Sequence, residues 1–325
     1  MAAISFLRGG NMANTLAKPK KTGGMKGKTR TSLALISMMI PGIIYLVINN
    51  YIPMAGLVVA FKSFDYSKGI WGSGWAGLGN FTYLFRTQDA FNIIRNTLLY
   101  NIVFILLGNI LAITVAVMLN FLKGQMNKKV YQTLILIPYL ISMVVVSYIV
   151  YGFLSMDSGY LNKLIESFGG DAISWYTQAK YWPFILTLVH LWSGFGYSSI
   201  VYYATVIGID SSLYEAASID GANVWKQVWH VTLPGLRITI ITLVLMAMGR
   251  MFYSDFGLFY QVPMRSGLLS SATDTIDVFV YKALTQLNDV GRASAAGLLQ
   301  SVLGFLMVLT ANLIVRKVDS DSALF

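Results

Sequence analysis

Six long apolar stretches are the feature of this sequence that most limits the fold it can adopt. A helix needs about 20 mainly apolar residues to cross the hydrocarbon core of a bilayer, and each stretch is near or above that length. Only 12% of the residues are charged, against about 25% in ordinary soluble domains. The sequence therefore predicts an all-α integral membrane protein with six membrane-spanning helices. The stretches are residues 33–61, 97–122, 130–154, 182–207, 236–260 and 295–315.

The first stretch contains residues that interrupt a helix. Pro41 and Pro53 each lack the backbone N–H that a helix uses, and Asn49 and Asn50 lie between them. Two paths are open for this segment: a kinked helix, or a chain that leaves the membrane near Asn50 and returns along its surface.

A basic tail precedes the first stretch. Residues 1–32 contain seven Lys and Arg residues and no acid, a composition that predicts disorder. The apolar piece before these charges, residues 2–7, is shorter than the roughly 7–15 residues of a signal-peptide core, so we expect the tail to stay attached. The predicted organisation is this tail, a six-helix domain over residues 33–318 and a short C-terminal tail over residues 319–325.

Basic residues are distributed unequally between the two sides of the predicted bundle. The loops on the side of both termini, with Arg237 at the membrane boundary, hold 14 Lys and Arg residues against five acids, whereas the other side holds nine against eight. Lys and Arg are enriched in cytoplasmic loops. The sequence thus predicts a multi-pass protein of the cell membrane with both termini and the 208–235 loop in the cytoplasm.

Composition excludes several chemistries. The chain has no cysteine and two histidines, so disulfides, thiolate nucleophiles and cysteine-ligated metals are excluded. No G-x-x-x-x-G-K-[ST] run is present, and we expect neither a nucleotide site of that kind nor any other cofactor on this chain. The excess of Lys and Arg in the predicted cytoplasmic loops accounts for much of the net charge of +10. Nucleic acid is therefore not an expected partner.

Residues 211–237 predict two short helices joined at a glycine. Ser212 and Glu215 have the S-x-x-E spacing of a capping box, so a helix is expected to begin at Ser212. Gly221 stands where the chain must leave that helix through a conformation that a Cβ opposes. Pro234 suits the first turn of a following helix, where its missing N–H is no loss. Four apolar residues form one stripe between the glycine and the proline: Val224, Trp225, Val228 and Trp229.

The same loop resembles the cytoplasmic EAA loop of permease subunits in binding-protein-dependent ABC importers of bacteria. The matching residues are Glu215, Ala216, Ala217, Asp220, Gly221, Leu233 and Pro234. In that family the loop forms a small helical knob that fits a cleft on the ATP-binding subunit. The resemblance implies that these residues couple the chain to separate ATPase subunits and that the chain hydrolyses nothing itself.

Two further segments look like the sugar-type permeases of that family. They are residues 53–61, which include Pro53-Met54-Ala55-Gly56 and Ala60-Phe61, and residues 77–81, Gly-Leu-Gly-Asn-Phe. The resemblance covers residues 33–318. It implies a permease for a sugar or oligosaccharide, a second permease subunit, two ATP-binding subunits and an extracytoplasmic solute-binding protein. A permease for another solute is the alternative, and a secondary transporter is a further one.

Five residues at membrane depth are candidates for the substrate path: His190, Trp192, Arg250, Tyr253 and Asp255. Arg250 lies 16 residues after Pro234, about 24 Å along a continuous helix, and His190 and Trp192 lie at a similar depth in the fourth stretch. Aromatic faces with a few convergent polar groups suit a sugar. The competing hypothesis makes Arg250 a buried structural charge paired across helices. For Asn101, Asn109 and Asn120 we expect hydrogen bonds between helices.

The orientation bias yields a direct test. A reporter fused after Phe325 should be cytoplasmic, because the basic loops lie on the side of both termini. Protection of the reporter from protease added to intact cells measures this. Cleavage from outside would overturn the predicted topology.

Overall fold

The computed structural model describes residues 25–319 and residue 323, and the described chain is almost entirely helical. The α-helices are α1 (Met25–Leu46), α2 (Ile52–Met54), α3 (Gly69–Gly72), α4 (Gly79–Arg86), α5 (Gln88–Phe121), α6 (Gln125–Leu140), α7 (Met143–Leu154), α8 (Tyr160–Ser167), α9 (Trp182–Val206), α10 (Ser211–Ile219), α11 (Val224–Gln227), α12 (Leu233–Gly249), α13 (Phe256–Gln261), α14 (Ser270–Thr273), α15 (Ile276–Thr285) and α16 (Val290–Val318). Two short strands, β1 (Lys62–Ser63) and β2 (Gly74–Trp75), pair antiparallel.

Five helical segments in the described residues are long and apolar enough to cross a bilayer. They are Leu35–Phe61, Gln88–Phe121, Ala179–Val206, Val224–Gly249 and Val290–Lys317. A sixth span arises if α6 and α7, which are bent by 92° relative to each other, count as one. The six predicted spans are thus all present as apolar helical segments, but the third is broken.

The break between α6 and α7 has a local cause. Pro138 lies in the last turn of α6, where it donates no backbone hydrogen bond and its ring crowds the carbonyl four residues earlier, which weakens the end of the helix. After Ile141, Ser142 adopts an extended backbone and its side chain accepts a hydrogen bond from the amide of Val145, so α7 starts with a new N-cap. The sequence predicted the third span over residues 130–154 without this break.

The first span stays helical through its two asparagines. Residues Val47–Tyr51 form a π-helical turn between α1 and α2, and Ala55–Phe61 continue as a 3₁₀-helix. A wider turn before Pro53 relieves the contact that a proline makes with the preceding turn. The chain does not leave the helix at Asn50, which answers the question that the sequence left open.

The first two long helices begin earlier in the chain than the predicted spans. Helix α1 starts at Met25, inside the predicted tail, and residues 1–24 lie outside the described part. Helix α5 starts at Gln88 because Thr87 caps it, its hydroxyl accepting from the Ala90 amide. The chain divides into two compact units after Gly56, and everything below concerns the second.

Helices α5 and α9 pack along each other at the centre of the second unit. On α5, Ala112 and Ala116 are fully buried against Tyr202 and Val206 of α9, and such small residues let two helix backbones approach closely. Leu236 of α12 joins this cluster. The cluster lies near the end of the bundle that carries α10, which we call the loop end; the opposite end is the far end.

The far end of α5 is tied to the segment around α14 by side-chain hydrogen bonds. Asn96 donates to the carbonyls of Ser271 and Asp274, both at 3.0 Å. Tyr100 donates to the carbonyl of Ala272 at 2.8 Å. These bonds satisfy backbone groups at the ends of a short helix, which would otherwise be unpaired.

The outward faces of the spans are apolar and exposed. In α5, only 22% of the most apolar window is buried inside the chain, and Leu106 and Ile110 are 59% and 62% exposed. Such a surface is unstable in water but suits lipid or a second membrane subunit. The exposure therefore agrees with a membrane protein.

The contact between α6 and α9 predicts a sensitive glycine. A Cβ at Gly196 would lie 1.8 Å from the carbonyl oxygen of Ile135, whereas a Cβ at Gly194 would meet nothing within 4 Å. Gly196→Ala should lower the melting temperature of the purified protein, because overpacking costs about 1–3 kcal/mol. Gly194→Ala is the matched control and should not lower it. Equal melting temperatures for the two variants would contradict this packing.

Candidate functional site

A cavity of about 720 Å³ lies between α5, α9 and the junction of α12 with α13. Its volume falls within the roughly 300–1,000 Å³ of typical ligand sites. His190, Arg250, Tyr253 and Asp255 all line it, so four of the five predicted path residues meet in one place. The other polar and aromatic lining residues include Asn101, Phe104, Asn109, Tyr139, Phe195, Tyr197, Ser198, Tyr202, Ser254 and Phe256.

Trp192 is the predicted path residue that does not line the cavity. It is 38% exposed and absent from the lining. Two residues along a helix correspond to a rotation of about 200°, so Trp192 points away from the side on which His190 lies. Trp192 therefore lies apart from the other four path residues in this structure, and its role in the substrate path stays a prediction.

Helix α12 ends at Gly249, and Arg250 follows as its C-cap. The prediction of one helix over residues 236–260 was therefore wrong, and so was the helical angle inferred between Arg250 and Asp255. Asp255 instead caps α13, its carboxylate accepting from the amide of Leu258 at 3.1 Å. The two charged side chains now flank an unwound turn at the cavity wall.

Arg250 is exposed to the cavity rather than buried. Its guanidinium forms no ion pair within 4 Å in the described part of the chain. The hypothesis of a buried charge paired across the helices of this chain was wrong. A charge facing lipid at the bilayer centre costs about 2.5–3.5 kcal/mol on insertion scales, whereas a cavity that admits water solvates it.

Asn101 holds the unwound turn from α5. Its side-chain amide donates to the carbonyls of Met251 at 3.0 Å and Tyr253 at 2.8 Å, and also to that of Thr97 in its own helix. Both turn carbonyls would otherwise lack partners, because the helix has ended. The predicted helix-to-helix role of Asn101 is confirmed. Asn109 is confirmed as well, since it accepts from the hydroxyl of Tyr202 on α9.

Two residues hold the same turn from the opposite side. Gln300 of α16 is 3% exposed and donates to the carbonyl of Phe252 at 2.7 Å. The carboxylate of Asp277 accepts from the amide and hydroxyl of Ser254 at 2.6 and 2.8 Å, and from Gln300 at 3.1 Å. We call Asn101, Gln300 and Asp277 the clamp. Its members fix backbone groups of four consecutive residues, 251 to 254.

Aromatic pairs form part of the cavity wall. Phe104 and His190 stack with ring centroids 3.7 Å apart and planes at 7°, and Tyr139 and Tyr197 stack at 4.9 Å and 17°. Flat aromatic surfaces beside amide and hydroxyl groups are suited to sugar rings. Sequence reasoning missed both tyrosines, although Tyr139 directly follows the proline that breaks the third span.

The predicted coupling loop has a different N-cap from the one expected. Helix α10 begins at Ser211, and Asp210 caps it by accepting from the amide of Ser212 at 2.9 Å. That hydrogen bond holds the pKa of the Asp210 carboxyl below its usual value. The capping box of Ser212 and Glu215 was a wrong prediction. Glu215 is exposed, which leaves its carboxylate open to a partner.

Gly221 is the hinge that the sequence predicted. Its φ is +77°, a value that side chains with a Cβ rarely adopt. Helix α10 closes there through hydrogen bonds from the amide of Gly221 to Ser218 and from that of Ala222 to Ala217. The side chain of Gln227 then donates to the Ser218 hydroxyl at 2.9 Å. The two helices of the loop are thus joined as one small unit.

The second helix of the loop continues into the membrane. The chain is helical from Val224 to Gly249, with a π-helical turn at Val228–Thr232 just before Pro234. That wider turn accommodates the proline without ending the helix. Pro234 lies in the first turn of α12, as predicted. No break separates α12 from the loop helix, so the helical segment runs from Val224 to Gly249, next to Arg250 at the cavity wall.

Comparison with known proteins decides the family. The family described as the inner membrane component of binding-protein-dependent transport systems matches residues 108–320, more than half of the chain. The chain belongs to this family. It is accordingly a permease subunit of an ABC importer and a multi-pass membrane protein, as the resemblance of the EAA loop indicated.

Relatives of this permease are similar over most of their length. Protein LplB of Bacillus subtilis (strain 168) is 32% identical over 287 residues, covering 88% of this chain and 90% of the relative. The polygalacturonan/rhamnogalacturonan transport system permease protein YteP of the same organism is 33% identical over 292 residues, covering 88% and 89%. The fold is also similar to that of one chain in the crystal structure of a bacterial alginate ABC transporter in complex with alginate pentasaccharide-bound periplasmic protein. The TM-score is 0.81 and the sequence identity is 29%, and the match covers 90% of this chain and 98% of that chain.

The clamp predicts how the turn responds to loss of Gln300. Gln300→Met should lower thermal stability, because an unsatisfied buried carbonyl costs about 1–3 kcal/mol. It should also speed backbone hydrogen exchange over residues 250–255. Thr310→Val is the control on the same helix, since the Thr310 hydroxyl bonds only to backbone of its own helix. Unchanged exchange at the turn in Gln300→Met would show that Gln300 does not hold it.

Proposed function

We propose that this permease imports a sugar or oligosaccharide, with ATP hydrolysed by separate subunits and coupled through residues 211–237. The observation that carries the proposal is the continuous helix from Val224 to Gly249. One end of this helix begins next to the hinge at Gly221, and the other ends at the cavity-lining residue Arg250. A displacement of the loop therefore reaches the cavity without passing through a flexible connection.

The substrate path in this proposal runs through the cavity. The stacked Tyr139–Tyr197 pair offers aromatic surface to a sugar ring. His190, Arg250, Tyr253 and Asp255 supply groups for hydroxyls. The relatives named above for polygalacturonan, rhamnogalacturonan and alginate support a carbohydrate as the substrate class.

The coupling surface is the exposed side of the loop. Ile219 is 87% exposed, and Trp225 and Trp229 are 74% and 66% exposed. Large apolar side chains at a water-exposed helix pair are typical of a protein interface. In this proposal they contact the ATP-binding subunit together with the EAA-motif residues Glu215, Ala216, Ala217, Asp220, Gly221, Leu233 and Pro234.

The complete importer in this proposal contains more than this chain. A second permease subunit completes the membrane part, two ATP-binding subunits contact the loops, and an extracytoplasmic solute-binding protein delivers the substrate. The termini and the coupling loop lie in the cytoplasm. The permease itself needs no cofactor, because the chemistry of ATP hydrolysis belongs to its partners.

The coupling role is tested by Gly221→Val. A β-branched residue at positive φ strains the hinge, since the left-handed conformation costs about 1–2 kcal/mol even for an ordinary side chain. The assembled complex in proteoliposomes should show at least about tenfold slower uptake per ATP hydrolysed, with the ATPase still bound. The measurement is labelled uptake against phosphate release in the same vesicles.

Gly124→Val is the matched control for that test. Gly124 also has positive φ, +83°, but it lies in the turn between α5 and α6, outside the coupling loop. Its variant should keep the wild-type ratio of uptake to hydrolysis. Wild-type coupling in an assembled Gly221→Val complex would reject the loop as the coupling element, and uptake driven by an ion gradient without ATP would reject the proposed function.

A further inference from the structure

Arg250 faces the cavity without an ion-pair partner within 4 Å in the described part of the chain. We infer, on the basis of the function proposed above, that this permease carries acidic oligosaccharides and that Arg250 binds a carboxylate of the sugar. Three observations support this inference: the unpaired guanidinium, the use of the Asp255 carboxylate as the cap of α13, and the absence of any other Lys, Arg, Asp or Glu from the lining.

The acids near Arg250 already have partners. Asp255 caps α13 through the amide of Leu258, and no ion pair within 4 Å joins it to Arg250 in the described residues. Asp277 does not line the cavity, and its carboxylate accepts from Ser254 and Gln300. Both carboxylates thus stabilise backbone of the turn or of α13 rather than the guanidinium.

The position of Arg250 at a helix end stabilises its positive charge but provides no hydrogen-bond acceptors for its N–H groups within the described residues. It caps the C-terminus of α12, where the helix dipole contributes about half a negative charge. The five N–H donors of the guanidinium still need acceptors. A carboxylate accepts two of them in parallel, a geometry that a single hydroxyl group does not offer.

The cavity also offers the neutral groups that a neutral sugar needs. Aromatic stacking surface is present at Tyr139 and Tyr197, and amide and hydroxyl groups are present at Asn109 and Ser198. A site built for hydroxyls alone gains little from a full positive charge, which keeps its hydration until an anion replaces the water. The presence of an unpaired arginine among these groups therefore points to a substrate that is itself charged.

The clamp makes Arg250 part of a preorganised site. The carbonyls of Met251 and Phe252, which directly follow Arg250, accept from Asn101 and Gln300. A cation on a fixed backbone loses less entropy on binding than one on a mobile loop. Two helices far apart in sequence therefore hold in place the residue that meets the carboxylate.

The test uses the complete complex, with its binding protein, in proteoliposomes. The probes are labelled oligomers of galacturonate, mannuronate and guluronate, each with its carboxyl-reduced neutral counterpart. Substitutions are made in this permease only, so the preference of the binding protein is the same for every variant. KM and kcat for uptake are measured with ATP in excess.

Opposite substitutions should shift uptake of the uronates in opposite directions. Arg250→Gln should raise KM for the imported uronate by about tenfold or more, the difference between a charge-assisted and a neutral hydrogen bond. Arg250→Lys keeps the charge but not the bidentate geometry, so it should recover only part of that loss. Asp255→Asn keeps a good helix cap and removes the negative charge of the cavity lining, so KM for the uronate should fall, and an unchanged or higher KM would count against the inference. If the two residues acted as a mutual structural pair, both neutral variants would instead impair uptake.

Arg86→Gln is the matched control. Arg86 is also an exposed arginine in the last turn of a helix, α4, and it does not line the cavity. Its KM should match that of the wild type. Basal ATPase activity and melting temperature of each complex are measured alongside uptake, and loss of assembly in both Arg250→Gln and Arg250→Lys would overturn the inference in favour of an ion pair with a partner subunit.

The remaining outcomes separate this inference from the proposed function. ATP-dependent uptake of the neutral oligomers without uptake of any uronate would overturn the acidic substrate class and leave the proposed function intact. Uptake of a uronate with an unchanged KM in Arg250→Gln would overturn the role of Arg250 alone. Absence of ATP-dependent uptake for both series would reject the proposed function together with the inference.

Discussion

Every backbone N–H and C=O group inside a bilayer needs a partner from the protein, because the hydrocarbon offers none. This requirement explains the arrangement around residues 250–255. A helix that stops at membrane depth leaves carbonyls unpaired, and here Asn101, Gln300 and Asp277 supply the missing partners. The break in the fifth span, the exposure of Arg250 and the shape of the cavity all depend on these hydrogen bonds.

At the other end of the same helix, the π-helical turn before Pro234 keeps the helix continuous instead of ending it. A proline usually interrupts a helix, yet the wider turn at Val228–Thr232 lets the helix pass through it. The fifth span is therefore interrupted where it borders the cavity and continuous where it enters the loop. A coupling element needs this combination, since rigidity is required along the helix and a shaped binding surface is required at its end.

Local signals in the sequence predicted much of the fold, and distant contacts determined the rest. Apolar length identified the spans, and Gly221 marked the hinge without structural help. The end of α12 at Gly249 depends on donors that lie 150 and 48 residues away from the carbonyls they bind, so no local pattern marks it. The separation of Trp192 from the other four path residues has a similar reason, because the rotation of α9 follows from its packing on α5 and not from a local pattern.

Helix α5 has 34 residues, and at 1.5 Å per residue it is about 51 Å long, well beyond a hydrocarbon core of about 30 Å. Its far end is bonded to the segment at residues 271–274 through Asn96 and Tyr100, and its middle lines the cavity at Asn101 and Asn109. At this length the helix is longer than the bilayer core is thick. A force applied at its far end would be transmitted along one continuous helix to the cavity wall.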